Sequence, residues 1–61
     1  MARYVVCESY MFGVNYFDKS GRVYPDYELE KTRQAIPTFD NLKQAQNMAD
    51  RFLHAQVQTI E

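Results

Sequence analysis

Cys7, His54 and Asp50 are the side chains whose types could support catalysis in this chain. A thiol becomes a nucleophile when a histidine lies within hydrogen-bond reach to take its proton and a third group orients that histidine. Asp50 stands four positions before His54, one turn away if both lie on a helix. A catalytic pair also needs a pocket that excludes water, and a 61-residue chain has little material from which to build one. The plainer roles are a small packing residue for Cys7 and, for His54, a surface place near a helix C-terminus, where positive charge is favoured. No catalytic residue is assigned and no enzyme is expected. One Cys and one His fall short of a four-ligand zinc set, so neither metal nor cofactor is expected.

Two charged stretches invite a binding role. Lys19-Ser20-Gly21-Arg22 combines cations with a glycine, but it lacks the Gly-rich loop and following helix that gather amides around a phosphate. It reads as a hairpin turn, with Asp18 opening it and Gly21 closing it. In Asp26-Tyr27-Glu28-Leu29-Glu30 an extended backbone would put the three acids on one face. Such charges discourage edge-to-edge pairing of strands, or they form a docking strip for a basic surface.

The aromatic residues carry most of the information. Tyr4, Tyr10, Phe12, Tyr16, Phe17, Tyr24, Tyr27 and Phe39 all precede position 40, and Phe52 alone follows. One helix hides one face of a sheet, yet the strand-like segments carry apolar residues on both faces. Either residues 28–36 fold over the second face, or that face is kept for a partner or a second copy, where Tyr is favoured. Contacts are expected to come from Tyr4, Tyr10, Phe17, Tyr24 and Tyr27, with Asp26, Glu28 and Glu30 as an acidic rim. The alternative is a small single-stranded nucleic-acid binder, stacking bases on Tyr16 or Phe17 with help from Arg3, Arg22 and Lys19. Phe12-Gly13-Val14-Asn15-Tyr16 faintly echoes the aromatic strand of RNA-recognition folds, without its preceding basic-Gly pair.

These side chains must be positioned by few elements. Residues 2–8 and 11–18 are rich in β-branched and aromatic types and predict two strands. A third is predicted over 22–29, bent or at an edge because Pro25 cannot donate to a ladder. Leu42, Ala45, Ala49, Phe52 and Leu53 recur at helical spacing, with Met48 at the border, and predict a helix over 41–56 capped by Asp40. Val57 and Ile60 continue it or dock as a tail. The expected fold class is α+β: a small antiparallel sheet of about three strands, packed on one face by a single C-terminal helix. The Phe12, Val14, Tyr16 face is the more continuously apolar, and it is expected to meet that helix.

Composition narrows the setting. A domain of this length buries only about 60% of its unfolded surface and has a net stability of a few kcal/mol, so association would help it. The net charge of −1 and the scattered cations are not the dense positive footprint of a duplex-DNA binder. The N-terminus lacks a signal-peptide pattern and no stretch approaches the roughly 20 apolar residues of a membrane span. With a single cysteine, a soluble cytoplasmic domain that does not bind membranes is expected.

The hairpin Val14-Asn15-Tyr16-Phe17-Asp18-Lys19-Ser20-Gly21-Arg22-Val23 and the entry Phe39-Asp40-Asn41-Leu42-Lys43-Gln44-Ala45, running on through Met48 and Ala49, cover about half the chain. In these stretches the chain resembles small sheet-plus-helix accessory proteins of bacterial viruses and prophages. That resemblance implies no enzymatic activity and a role in binding and altering a host protein.

Overall fold

A computed structural model describes residues 2–60. The fold is α+β, as the sequence predicts, with one antiparallel sheet carried by two helices rather than one. In chain order the elements are β1 (Tyr4–Tyr10), β2 (Gly13–Phe17), β3 (Val23–Pro25), α1 (Asp26–Thr32), α2 (Leu42–Ala49) and β4 (Gln56–Thr59). The sheet order is β3-β2-β1-β4, with every neighbouring pair antiparallel.

Register decides which side chains share a face. Val6 stands opposite both Phe17 and Val57, and these three point toward α2. They form the core with Phe39, Ala45, Met48 and Ala49, and Tyr4, Phe52 and Ala55 pack against it. The helix therefore covers the Phe17 face, not the expected Phe12, Val14, Tyr16 face. Phe17 stacks on Phe52 with ring centroids 4.1 Å apart. Cys7 pairs with Tyr16 on the opposite face, where Leu29 of α1 is buried and borders a cleft with Tyr16 and Ile36. The second face is thus not left bare; α1 lies over its β2–β3 half.

α1 replaces the later part of the strand predicted over 22–29. β3 ends at Pro25, whose fixed φ of −63° leads into the helix. Asp26 and Glu28 then sit in the first turn and Lys31 in the last, which matches the helix dipole at both ends. Arg33 closes the helix in the left-handed conformation with φ 58°, its N–H donating to the Glu30 carbonyl while Gln34 N–H donates to Leu29.

α2 is half the length of the predicted 41–56 helix. Its N-cap is Asn41, not Asp40: the Asn41 side chain accepts from Gln44 N at 3.1 Å. Beyond Ala49 the winding tightens, with Arg51 N–H donating to Met48 and Phe52 N–H to Ala49. That turn brings Phe52 onto Phe17 and throws Leu53 outward, 90% exposed. Leu42 is likewise exposed, so the predicted apolar stripe keeps only Ala45 and Ala49 as buried helical members, joined by Met48. Residues 56–59, expected to extend the helix or trail from it, instead form a fourth strand on the outer side of β1.

Candidate interaction surface

The hairpin joining β1 to β2 is built from residues that turns rarely use. Tyr10 and Gly13 pair in register, leaving Met11 and Phe12 as the turn between them. Tight hairpins usually place Gly, Asn or Asp there. Met11 is 88% exposed and Phe12 85%, so neither side chain contributes to the core. Phe12, expected inside a strand on the helix-facing side, is instead at the tip.

Two tyrosines border this tip. Tyr10 is 37% exposed and Tyr27 64% exposed at the start of α1. Partial burial pushes the Tyr10 phenol up, and the nearby Asp26 carboxylate and Tyr27 add to the shift. The three groups therefore share one end of the molecule. Asp26 ties that end together. The β3 ladder stops at Pro25, opposite Asn15, and the next β2 amide, Val14 N–H, donates to Asp26 Oδ2 at 3.2 Å. Asp26 Oδ1 accepts from Tyr27 N–H at 2.7 Å. A carboxylate so continues the ladder that proline ends and fixes α1 against the hairpin. A side chain at position 13 would force this carboxylate to shift, because a Cβ on Gly13 would lie 2.7 Å from Asp26 Oδ1.

The remaining sequence-predicted contacts separate. Phe17 is buried in the core, and Tyr4 is half-buried against it, with backbone hydrogen bonds to Phe39 in both directions. Phe17 therefore has no ring surface left for a partner, while Tyr4 packs part of its side chain on the core. Tyr24 is half-buried; its hydroxyl donates to Asp18 Oδ2 at 2.9 Å and its ring lies 5.4 Å from the Arg22 guanidinium. The bond to the Asp18 carboxylate, followed by desolvation, raises the Tyr24 phenol. The acids at 26, 28 and 30 do not form one strip, because a helix turns successive residues through about 100°. Asp26 is committed to the sheet, while Glu28 and Glu30 remain exposed on α1.

Asp18 organises the other hairpin. Its Oδ1 accepts from Ser20 N–H at 2.9 Å, Ser20 Oγ at 2.6 Å and Arg22 N–H at 3.0 Å. Gly21 occupies the positive-φ position of this loop at 87°. The hydrogen bonds, that from the Ser20 hydroxyl foremost, hold the Asp18 carboxyl at about 2. Lys19-Ser20-Gly21-Arg22 is thus the turn its composition predicts, wrapped around a carboxylate.

Cys7 and His54 stand in unlike environments. Cys7 is 2% exposed within β1 and burial pushes its thiol up, away from the thiolate a nucleophile needs. His54 is exposed in the turn that follows α2. Among the described residues no group of three His, Cys, Asp or Glu side chains could hold a metal ion, and no helix is long and apolar enough to cross a membrane.

Sequence reasoning misses Met11 and Phe12 as a tip because strands over 2–8 and 11–18 put both residues inside the second strand and leave only Ser9-Tyr10 as the link. Nothing in Met-Phe marks a turn, and the steric reason for Gly13 lies on a distant residue, Asp26. The signal that was present is Pro25-Asp26 followed by Glu28 and Lys31, a helix-start pattern that would have moved α1 beside the tip. Comparisons of the chain with protein-family models, with curated proteins and with solved structures found no match.

Proposed function

We propose that this protein is a non-enzymatic protein-binding module of the cytoplasm that engages its partner through the β1–β2 hairpin tip. The observation that carries the reading is the near-complete exposure of Met11 and Phe12, next to Tyr10 and Tyr27. A short chain with few apolar residues to spare gains no stability from a Met and a Phe in water. Placed in an apolar pocket of another protein, the same side chains become anchors of the kind that dominate interface energetics. Methionine adapts to an irregular pocket, and the tyrosines supply rigid area with a polar tip. Glu28 and Glu30 stand exposed on α1, the helix that carries Tyr27 in its first turn, where they favour a partner with a basic margin. The resemblance to viral and prophage accessory proteins makes a bacterial host protein the expected target.

Single-stranded nucleic acid is the weaker reading. Phe17 is buried, and Arg22 and Tyr24 face each other.

The test compares tagged wild-type protein with the double variant Met11→Ser, Phe12→Ser in capture from a bacterial lysate, with and without nuclease. One protein retained by the wild type under both conditions and lost from the variant, at an unchanged thermal midpoint, is expected. Equal capture by both proteins removes the tip from the mechanism. Capture that disappears with nuclease, and weakens steeply with salt, transfers the function to nucleic acid.

A further inference from the structure

The two edges of the sheet are built differently. β3 is three residues long, ends in Pro25 and runs directly into α1, so it offers little ladder to a newcomer. β4 carries none of these protections. Its sequence Gln56-Val57-Gln58-Thr59 has no charge, no proline and no bulge, and it continues uncharged from Ala55 to Ile60. Among the described residues no strand pairs with its outer side.

The hydrogen-bonding phase of this edge can be read from the ladder. Ile60 N–H donates to the Arg3 carbonyl at 2.9 Å, which makes Arg3 and Ile60 a hydrogen-bonded pair. Bonded and non-bonded pairs alternate in an antiparallel ladder. Gln58, opposite Val5, and Gln56, opposite Cys7, therefore turn their backbone groups toward β1. Val57 and Thr59, opposite Val6 and Tyr4, turn theirs outward. Tyr4 agrees with this phase, since its own N–H and C=O bond to Phe39 on the other side of β1.

We infer that β4 is the docking edge for a second copy of this chain, joined antiparallel about a two-fold axis through Gln58. In that register Val57 of one copy faces Thr59 of the other, and the reverse, giving about four backbone hydrogen bonds between the outward groups. Both residues are β-branched and point to the α2 face, a favourable cross-strand combination. Gln58 meets its own equivalent on the opposite face, and an amide is both donor and acceptor, so it pairs with itself. Gln56 stands opposite Ile60. No like charges are opposed anywhere along this edge. The pairing joins two four-stranded sheets into one continuous sheet and carries the two hairpin tips to opposite ends. It does not depend on what the tips bind.

The test uses sedimentation or light scattering of the full chain over a range of concentrations. A species of twice the 7.2 kDa chain mass is expected, and its absence at every concentration overturns the inference. Gln58→Lys and Gln58→Glu each oppose like charges at the axis and are expected to abolish the dimer, while an equal mixture of the two restores it. A dimer indifferent to both substitutions places the interface elsewhere and overturns the inference. Should either variant lose its circular-dichroism signature, amide exchange on the wild type decides instead. The Val57 and Thr59 amides are expected to exchange roughly tenfold more slowly in concentrated than in dilute solution, and no dependence on concentration refutes the pairing.

Discussion

Phe17 of β2 and Phe52 of the turn after α2 stack nearly parallel, with ring centroids 4.1 Å apart and 19° between planes. This contact accounts for the early end of α2. Held in a helix to residue 56, Phe52 would stay on the stripe defined by Ala45 and Ala49. Released by the tightened turn, it reaches Phe17 and leaves the chain free to return as β4. Phe17→Ala removes one ring and opens a cavity beneath the other, at a cost of about 3–5 kcal/mol. A domain of this size has roughly 3–9 kcal/mol in total. Urea unfolding is expected to show a protein that is largely unfolded or close to it. A midpoint near the wild-type value would mean that the stack contributes little and that α2 ends for another reason.

Asp18 makes the fold sensitive to acid in a defined window. Its folded pKa, about 2, lies below the ordinary value of 3.8. A depressed carboxylate contributes stability that is present above the ordinary value and is lost as pH falls through the folded one. The β2–β3 hairpin is therefore expected to weaken from about pH 4 down to about pH 2. Asp18→Asn removes that dependence, and it leaves fewer acceptors for the Ser20, Arg22 and Tyr24 donors. At neutral pH it is expected to cost about 1 kcal/mol, given how exposed the loop is. It should also bring the Tyr24 phenol down, because the Asp18 bond is the main cause of its elevation. Thermal melts between pH 2 and 7 and a spectrophotometric tyrosine titration measure the two effects.

What was legible in the sequence was period and composition. Ala45 and Ala49 announced a helix face, and the aromatic and β-branched Tyr4-Val5-Val6 announced a strand. Boundaries failed where a tertiary contact outweighs local preference. Phe52 fits the helical stripe as well as it fits the stack on Phe17, and only the latter exists. Val57 and Ile60 are too few to show an alternating strand, and only β1 beside them makes one. Tyr27 and Leu29 alternate with acids as an edge strand would, yet Pro25 and Asp26 start a helix. Of the tyrosines expected to supply contacts, Tyr10 and Tyr27 are exposed, but the place of the candidate tip was not legible. The tip depends on a turn without turn residues.

Cys7 should behave as an inert packing residue. Its side chain is 2% exposed and burial raises its thiol. Alkylation of the native protein at neutral pH is expected to be at least about tenfold slower than in denaturant, because reaction needs both exposure and the thiolate. Modification as fast as in the unfolded chain would contradict the packed β1 environment. Cys7→Ser would place a hydroxyl at this apolar position, and it should destabilise the protein by about 1–3 kcal/mol.

Gly13 and Asp26 are expected to behave as one unit. A methyl group at position 13 would meet Asp26 Oδ1 at 2.7 Å and Oδ2 at 2.8 Å, so the carboxylate must move away from Val14 N–H. Gly13→Ala is therefore expected to cost about 1–3 kcal/mol, as overpacking at a tight contact does. Asp26→Ala removes the obstacle along with the hydrogen bond. On that background the Gly13→Ala substitution should cost less, with a coupling of at least about 0.5 kcal/mol in a double-mutant cycle. Additive costs would mean that the contact relaxes freely. Because Asp26 begins α1 and Tyr27 follows it, the same displacement shifts Tyr27 relative to Met11 and Phe12. Gly13→Ala should then weaken partner capture by more than its effect on the thermal midpoint accounts for, while Phe17→Leu, remote from the tip, should not.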